Sequence, residues 1–475
     1  MITFLACVAI LVIGYFTYGT YVSKIVGYDD SIETPATRLE DGVDYLPMPW
    51  HKVFLIQFLN IAGTGPIFGA ISGALFGPVA FLWITFGCIF AGAVHDLLSG
   101  VISMKHDGTS IPEIVGMYLG QNMKKVMVGF SIVLLILVGT VFITSPAGLL
   151  TSMTGMNKNI WLVLIIVYYI VATVLPVDKV IGKLYPIFGA ALLAMAGGLF
   201  VAMIMGQLNG SMQMAELTLE NLHPDGLSVF PFLFTTIACG AISGFHATQS
   251  PMMARCIRRE SETRRVFYGS MIVEGIVALI WCAVTIAFFG DSVSIQAAGA
   301  PAEVVNTISS ALLGPAGAIL AVLGVVACPI TSGDTAFRSA RLTIADAFKI
   351  KQDGLKSRFM IAIPLFAVGI ALTQIDFNII WRYFAWSNQT LAMIFLWTGA
   401  AYLLVNKKNY WIAVLPAIFM SYVSVAYILQ APEGFRLNGM FSNIVGVVFA
   451  LIFFAIFMNR VKKERSNTSK VEKAS

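Results

Sequence analysis

The sequence predicts an all-α polytopic membrane protein of about 13 transmembrane helices, ten of them forming two inverted five-helix units. Composition, the placement of basic residues and two glycine-rich breaks carry this expectation. The 475-residue chain is 58% hydrophobic and 12% charged, with a mean hydropathy of +0.83, where soluble domains carry about 25% charged residues. Runs of about 20 apolar residues cross a bilayer as helices. Such runs lie near 2–25, 52–75, 78–103, 124–149, 159–177, 184–206, 229–250, 266–289, 309–332, 359–374, 380–405, 409–430 and 438–459. The first lacks a basic n-region and exceeds an ordinary h-region, so it reads as a retained span, not a signal peptide. Cys7, Cys88, Cys239, Cys256, Cys282 and Cys328 are scattered without a CxxC or His/Cys cluster, and read as small buried thiols, not zinc ligands.

Basic residues orient the spans, because cytoplasmic connections are enriched in Lys and Arg. With thirteen crossings, one set of connections holds Lys24, Arg38, Lys52, Lys105, Lys124, Lys125, Lys179 and Lys183. It also holds Arg255 to Arg265, Arg338 to Arg358, Lys407, Lys408 and Arg460 to Lys473. The opposite set holds little beyond Lys158, Arg382 and Arg436. The amino terminus is therefore expected outside and the carboxyl terminus in the cytoplasm of a cell inner (plasma) membrane. The connection 26–50 is acidic, but acidic residues contribute little to orientation. The Arg255–Arg265 cluster reads as an orientation signal before a site for anionic lipid. The polar tail from Val461 is expected to be unstructured.

The breaks are Ile61-Ala62-Gly63-Thr64-Gly65-Pro66 and Thr236-Ile237-Ala238-Cys239-Gly240-Ala241-Ile242-Ser243-Gly244-Phe245-His246, the latter continuing to Pro251. Five spans separate the segments holding them, so the second unit is inverted relative to the first. The expected organisation is a leading helix and acidic loop over 1–51, a first unit over 52–206 and an inverted second unit over 229–405. Two trailing helices over 409–459 and a basic tail over 460–475 complete it. Both breaks contain the pentad Gly-Ala-Ile-Ser-Gly nearby, but out of register, so their positions are the stronger signal.

Glycine permits an unwound backbone, which a membrane tolerates only where protein or a cavity satisfies its amides. Freed carbonyls suit a cation, and a restarted half-helix presents amides to an anion. Gly63, Thr64, Gly65, Ser243, Gly244, His246 and Gln249 are thus the candidate substrate-binding residues. Gly65, Gly69, Gly73 and Gly77 also form a packing ridge. Ionisable residues within spans are costly and mark pathways, so His95, Asp96 and Glu274 are candidates for proton coupling. His95 and Asp96, adjacent on a helix, point about 100° apart and need not touch. Thr331, Ser332 and Thr335 offer the oxygen ligands of a possible sodium site, and Asp334 and Arg338 are spaced to pair on one helix face.

Ile61-Ala62-Gly63-Thr64-Gly65-Pro66-Ile67, Ala91-Gly92-Ala93-Val94-His95-Asp96, Asp107-Gly108, Gly182-Lys183-Leu184-Tyr185-Pro186-Ile187-Phe188-Gly189 and Ile237 to His246 resemble the carbon starvation protein A (CstA) family over about His51–Lys408. The resemblance implies a LeuT-like five-plus-five fold and an importer of peptides or pyruvate, coupled to protons. After the histidine this chain reads Ala247-Thr248-Gln249-Ser250-Pro251 instead of the Ser-Gly-Thr-Thr-Pro-like stretch of relatives, and it is shorter at the carboxyl end than many of them. A sodium-coupled transporter of an amino-acid-like solute is the alternative, followed by a channel or nutrient sensor. No HExxH, GxSxG or Walker A motif is present, so neither an enzyme nor a self-sufficient ATP-driven pump is expected. No cofactor is expected, the coupling ion being a proton or sodium. The expected partners are the lipid bilayer and a small-molecule substrate, with no nucleic acid.

Overall fold

The computed structural model describes residues 1–42, 44–173, 177–352 and 354–474, with side chains at all of these except 177–186, 465 and 467–474. The side chains of Lys179, Lys183, Lys470 and Lys473, and of residues 183–186 in the Gly182–Gly189 motif, lie outside the described residues. Apart from one isolated bridge between Met48 and Ile257, the described secondary structure is helical.

Each predicted segment has a helical counterpart. α1 is Ile2–Val26. α2 comprises two half-helices, Trp50–Ile61 and Thr64–Gly73. α3 is Ala80–Lys105, α4 is Gln121–Thr154, α5 is Lys158–Ala172 and α6 is Val177–Asn209. α7 is again divided, with short turns over Val229–Leu233 and Phe234–Thr236 and a second half over Gly244–Ala254. α8 is Glu260–Phe289, α9 is Pro301–Phe348, α10 is Leu355–Leu372 and α11 is Phe377–Val405. α12 is Trp411–Gln430 and α13 is Gly439–Ala474. Among the described residues ten helices are long and apolar enough to cross a membrane, or eleven when the bent α2 counts as one span. The remaining two segments are the 15-residue α5 and the divided α7.

Two boundaries differ from expectation. α9 has 48 residues, about 72 Å at 1.5 Å per residue, far more than a bilayer core needs. Gly314, at φ 57°, and the following Pro315 kink it, because proline removes an amide and disfavours helix in the residue before it. The predicted 309–332 segment therefore straddles the kink, and the helix beyond it continues past Thr335 to Phe348. α13 runs on to Ala474, so the tail read as unstructured from Val461 extends the last helix.

The two breaks pack on each other. A Cβ on Gly65 would lie 2.6 Å from Cys239 Sγ, one on Gly69 3.2 Å from Thr236 O, and one on Gly73 2.4 Å from Ile237 Cδ1. Three of the four predicted ridge glycines therefore face α7 at its break, while Gly77, at φ 83° beyond the helix, meets Leu222 instead. α3 approaches from the other side, with Gly92 so close that a Cβ would meet Ala241 O at 2.2 Å. The preceding Trp83–Gly92 stretch is widened into π-type turns, a feature often found next to functional positions.

The acidic connection 27–49 is a strap, not a free loop. Leu46 and Met48 amides donate to Arg255 O and Cys256 O at 3.2 and 3.0 Å. Thr34 Oγ1 donates to Ile257 O at 2.6 Å, and Asp30 accepts from Ser261 N and Oγ at 2.9 and 2.6 Å. Arg38 pairs with Asp107, and Lys105 lies 3.1 Å from Glu260. The Arg255–Arg265 cluster thus has protein partners as well: Arg255 donates to Gly108 O, and the Arg265 guanidinium sits over Trp50.

Overpacking a close-packed core costs about 1–3 kcal/mol. Gly92→Ala is expected to lower the melting temperature of the detergent-solubilised protein, because the clash is with backbone. Gly129→Ala, with nothing within 4 Å of its Cβ position, is the matched control and should melt like the wild type.

Candidate functional site

Unwinding at the second break centres on Gly240, at φ 89°, a conformation other L-residues adopt at a cost. The α7 helix stops after Thr236 and restarts at Gly244, with Ser243 in extended geometry ahead of it. Two buried side chains from elsewhere fasten this stretch. Glu274 Oε1 accepts the Gly240 amide at 3.1 Å. Asn388 Oδ1, on α11, accepts the Phe245 amide at 2.8 Å and the Ser243 hydroxyl at 3.0 Å. At the first break the unwound residues are Ala62 and Gly63, while Thr64 and Gly65 already belong to the restarted half-helix and Pro66 is its third residue.

The predicted proton-coupling residues converge on the second break. Asp96 Oδ1 lies 2.8 Å from His95 Nδ1, and Asp96 Oδ2 lies 2.9 Å from His246 Nδ1. The expectation that His95 and Asp96 need not touch is corrected: the side chains fold toward each other, although their Cα–Cβ bonds diverge. A carboxylate only accepts, so an ionised Asp96 fixes the proton on both Nδ1 atoms. His246 Nε2 then faces Glu274 Oε2 at 3.5 Å, beyond a normal hydrogen bond, and neither atom has another partner. All four side chains are fully buried. Two carboxylates and two imidazoles in a dry interior make any change of net charge expensive unless something compensates it. Ser99 and Ser250, 2.7 Å apart, join α3 to α7 one turn below.

The other candidates are distributed around this cluster. Thr64 is buried with its hydroxyl unpartnered. A Cβ on Gly63 would lie 3.4 Å from Phe142 Cζ, and one on Gly244 would meet Asn388 O at 2.5 Å and Leu391 Cβ at 2.7 Å. Gln249 Nε2 donates to Thr248 Oγ1 at 3.0 Å, leaving its Oε1 without a partner. Thr331, Ser332 and Thr335 stand apart on α9. The Thr331 and Thr335 hydroxyls donate to carbonyls of their own helix, at Cys328 O and Ser332 O, while Ser332 Oγ is buried and unpartnered. Phe142 neighbours both Gly63 and Gly333, where an added Cβ would lie 3.4 and 3.1 Å from it. Among the described residues no group of three or more His, Cys, Asp or Glu side chains is arranged for a metal ion. Asn388 was not anticipated; its signal is the polar Ser387-Asn388-Gln389 run inside the apolar α11.

A cavity of about 460 Å³ opens beneath the breaks. Its mouth lies on the end of the bundle that carries the strap and the Arg255–Arg265 loop, with exposed Asp44 and Asp346 on the rim. Its wall includes Ile56 and Asn60 of α2, Ser131 and Leu135 of α4, Thr248 and Met252 of α7, and Thr335, Arg338 and Leu342 of α9. At the opposite end the connection 210–228 covers the turn Ala74–Phe76 that follows α2, where the His223 ring centroid lies 4.6 Å from that of Phe76.

Comparison with known proteins identifies relatives of this chain and of its fold. The family described as "Carbon starvation protein CstA" matches residues 1–154 and 145–314. A Haemophilus influenzae protein named "Uncharacterized membrane protein" is 43% identical over 62% of this chain and 93% of its own. The Bacillus subtilis "Peptide transporter CstA" is 28% identical, covering 97% of this chain and 96% of its own. The Escherichia coli "Pyruvate/proton symporter BtsT" is 26% identical over 58% of this chain and 47% of its own. Among solved structures, a mutant Eremococcus coleocola manganese transporter shares the fold at TM-score 0.51 and 10% identity, over 90% of this chain and 99% of its own. A Na⁺-coupled sialic acid symporter does so at TM-score 0.50 and 13% identity, over 94% and 96%. The architecture is thus the LeuT-like fold of secondary transporters.

Asn388→Leu would strip the acceptor from the Phe245 amide and the Ser243 hydroxyl, and a buried orphaned group costs about 1–3 kcal/mol. The variant should melt below the wild type in detergent.

Proposed function

Since the chain belongs to the carbon starvation protein CstA family, we propose that it imports short peptides or small carboxylates such as pyruvate, by proton-coupled alternating access. It is a multi-pass membrane transporter and not an enzyme; the substrate and the coupling ion are the substance of the proposal. The observation that carries proton coupling is the buried His95–Asp96–His246–Glu274 cluster at the unwound part of α7. Names of relatives support the substrate classes, through the B. subtilis peptide transporter and the E. coli pyruvate/proton symporter.

In this reading the two units are 52–206 and 229–405, the amino terminus lies outside and the carboxyl terminus in the cytoplasm. The cavity then opens inward. Substrate released there passes Thr248 after leaving Gly63, Thr64, Gly65, Ser243, Gly244, His246 and Gln249. The proton occupies the gap between His246 Nε2 and Glu274 Oε2. Glu274 serves both tasks: one oxygen holds the Gly240 amide and the other faces the imidazole. Adding or removing a proton at that gap changes the charge beside the hinge, so the hinge and the proton are linked. Sodium coupling through Thr331, Ser332 and Thr335 is the second reading, favoured by the unpartnered Ser332 hydroxyl.

Proteoliposomes loaded with purified protein distinguish the readings. An inward proton gradient is expected to drive accumulation of pyruvate, dialanine or trialanine, and a sodium gradient is not; accumulation indifferent to both would remove symport. His246→Ala and Gly63→Leu are expected to abolish transport with membrane insertion intact. Glu274→Gln keeps an acceptor for the Gly240 amide but cannot exchange a proton. It should lose gradient-driven accumulation while retaining substrate exchange across the bilayer.

A further inference from the structure

We infer that Arg338 is the carboxylate-recognising residue of the cavity, with Asn60 Oδ1 as an acceptor for a donor group on a peptide substrate. The inference rests on the transport reading and deepens it by assigning the group on the substrate that is read.

The cavity wall carries three cationic side chains, Lys52, Arg255 and Arg338. Two of them are placed for other work. Lys52 lies on the same α2 face as Ile56 and Asn60 but eight residues before Asn60, about 12 Å nearer the mouth at 1.5 Å per residue. Arg255 spends its Nε and Nη2 on Gly108 O at 3.2 and 2.9 Å, and its guanidinium lies over the Tyr45 ring. Arg338 sits one helical turn beyond Thr335, in the upper part of the wall. Its Nη2 donates to Ala172 O at 3.0 Å, and Asp334 is 3.6 Å away, too far for a hydrogen bond. Its Nε has no partner at all. The predicted Asp334–Arg338 pairing is therefore a loose ion pair that leaves much of the guanidinium's donor capacity unused.

Asn60 supplies the second, independent observation. It is 2% exposed, its Oδ1 has no hydrogen-bond partner, and it lines the same cavity. Buried polar groups are normally satisfied, so this orphaned acceptor on a residue of the cavity wall, two residues before the first break, marks a place where a donor such as a peptide N–H binds. A guanidinium recognises a carboxylate through its planar fork of donors. The leucine, isoleucine and methionine side chains elsewhere on the wall suit an apolar remainder, and the cavity is within the range of about 300–1,000 Å³ typical of small-molecule sites. Peptides and pyruvate share a terminal carboxylate, and that shared group is what Arg338 reads.

The test compares acids with their neutral amides. Uptake and thermal stabilisation of the solubilised protein are measured for dialanine and dialanine amide, and for pyruvate and pyruvamide. The wild type should prefer at least one acid over its amide by about tenfold or more, the worth of one hydrogen bond to a charged group. Arg338→Gln should raise KM for that acid with a smaller change in kcat, and should erase the preference. Arg338→Lys should restore part of it, which a merely structural role would not produce. If Arg338→Gln does not fold, the wild-type and Arg338→Lys comparison decides: an unchanged KM and a full preference with lysine would overturn the assignment. A wild type that takes acid and amide alike, or an Arg338→Gln variant that still separates them, would overturn it too. A wild type neither moving nor stabilised by any of the four compounds would instead overturn the transport reading on which it stands.

Discussion

Backbone meets backbone where α2 crosses the unwound part of α7, and the remaining structure is arranged around that contact. Gly65, Gly69 and Gly73 bring α2 against Thr236–Cys239. Gly92 brings α3 against Ala241 from the far side. Lipid supplies no hydrogen bonds to an unwound segment, so the amides freed at Gly240 and Phe245 need protein acceptors. Glu274 and Asn388 provide them. An ionisable acceptor at that point brings the need for compensating groups, which His246, Asp96 and His95 meet in sequence. The buried polar cluster and the packing ridge are therefore parts of one solution to the cost of breaking a helix inside a membrane.

Much of this architecture is legible in the sequence because a bilayer imposes strict rules. Thirteen apolar segments announce thirteen helical elements, and Gly63 and Gly240 announce where two of them stop. Hydropathy does not report the exact use of each glycine. Gly240 is the residue in the left-handed region, whereas Gly65, read as part of the unwound site, is already helical and is small so that Cys239 fits. The kink at Gly314–Pro315 was equally visible as a dipeptide but lay inside an apolar run, where a window average hides it.

The site was legible by residue type and opaque by contact. His246, His95, Asp96 and Glu274 stand out as ionisable groups in apolar runs, yet nothing local says that α3, α7 and α8 deliver them to one point. Spacing left contact between His95 and Asp96 undecided, because side-chain torsions, not Cα–Cβ directions, decide which groups meet. Asn388 and Asn60 are quieter still: an amide in a long helix gives little signal until its partner, or its lack of one, is seen. Arg338 reads as half of a surface-type pair until the cavity beside it is known.

The strap has a mechanical corollary. It enters the first half of α2 at Trp50, and the chain it pairs with, Arg255–Ser261, leaves the second half of α7 at Ala254. Each half-helix also has a hinge at its other end, at Ala62–Gly63 and at Ile237–Ser243. Two rods hinged at one end and riveted together at the other form a closed linkage with a single degree of freedom. Within such a linkage neither rod swings alone: tilting one drags the other through the same arc, and the cavity mouth between this pair and α4 and α9 changes width as one motion, not two.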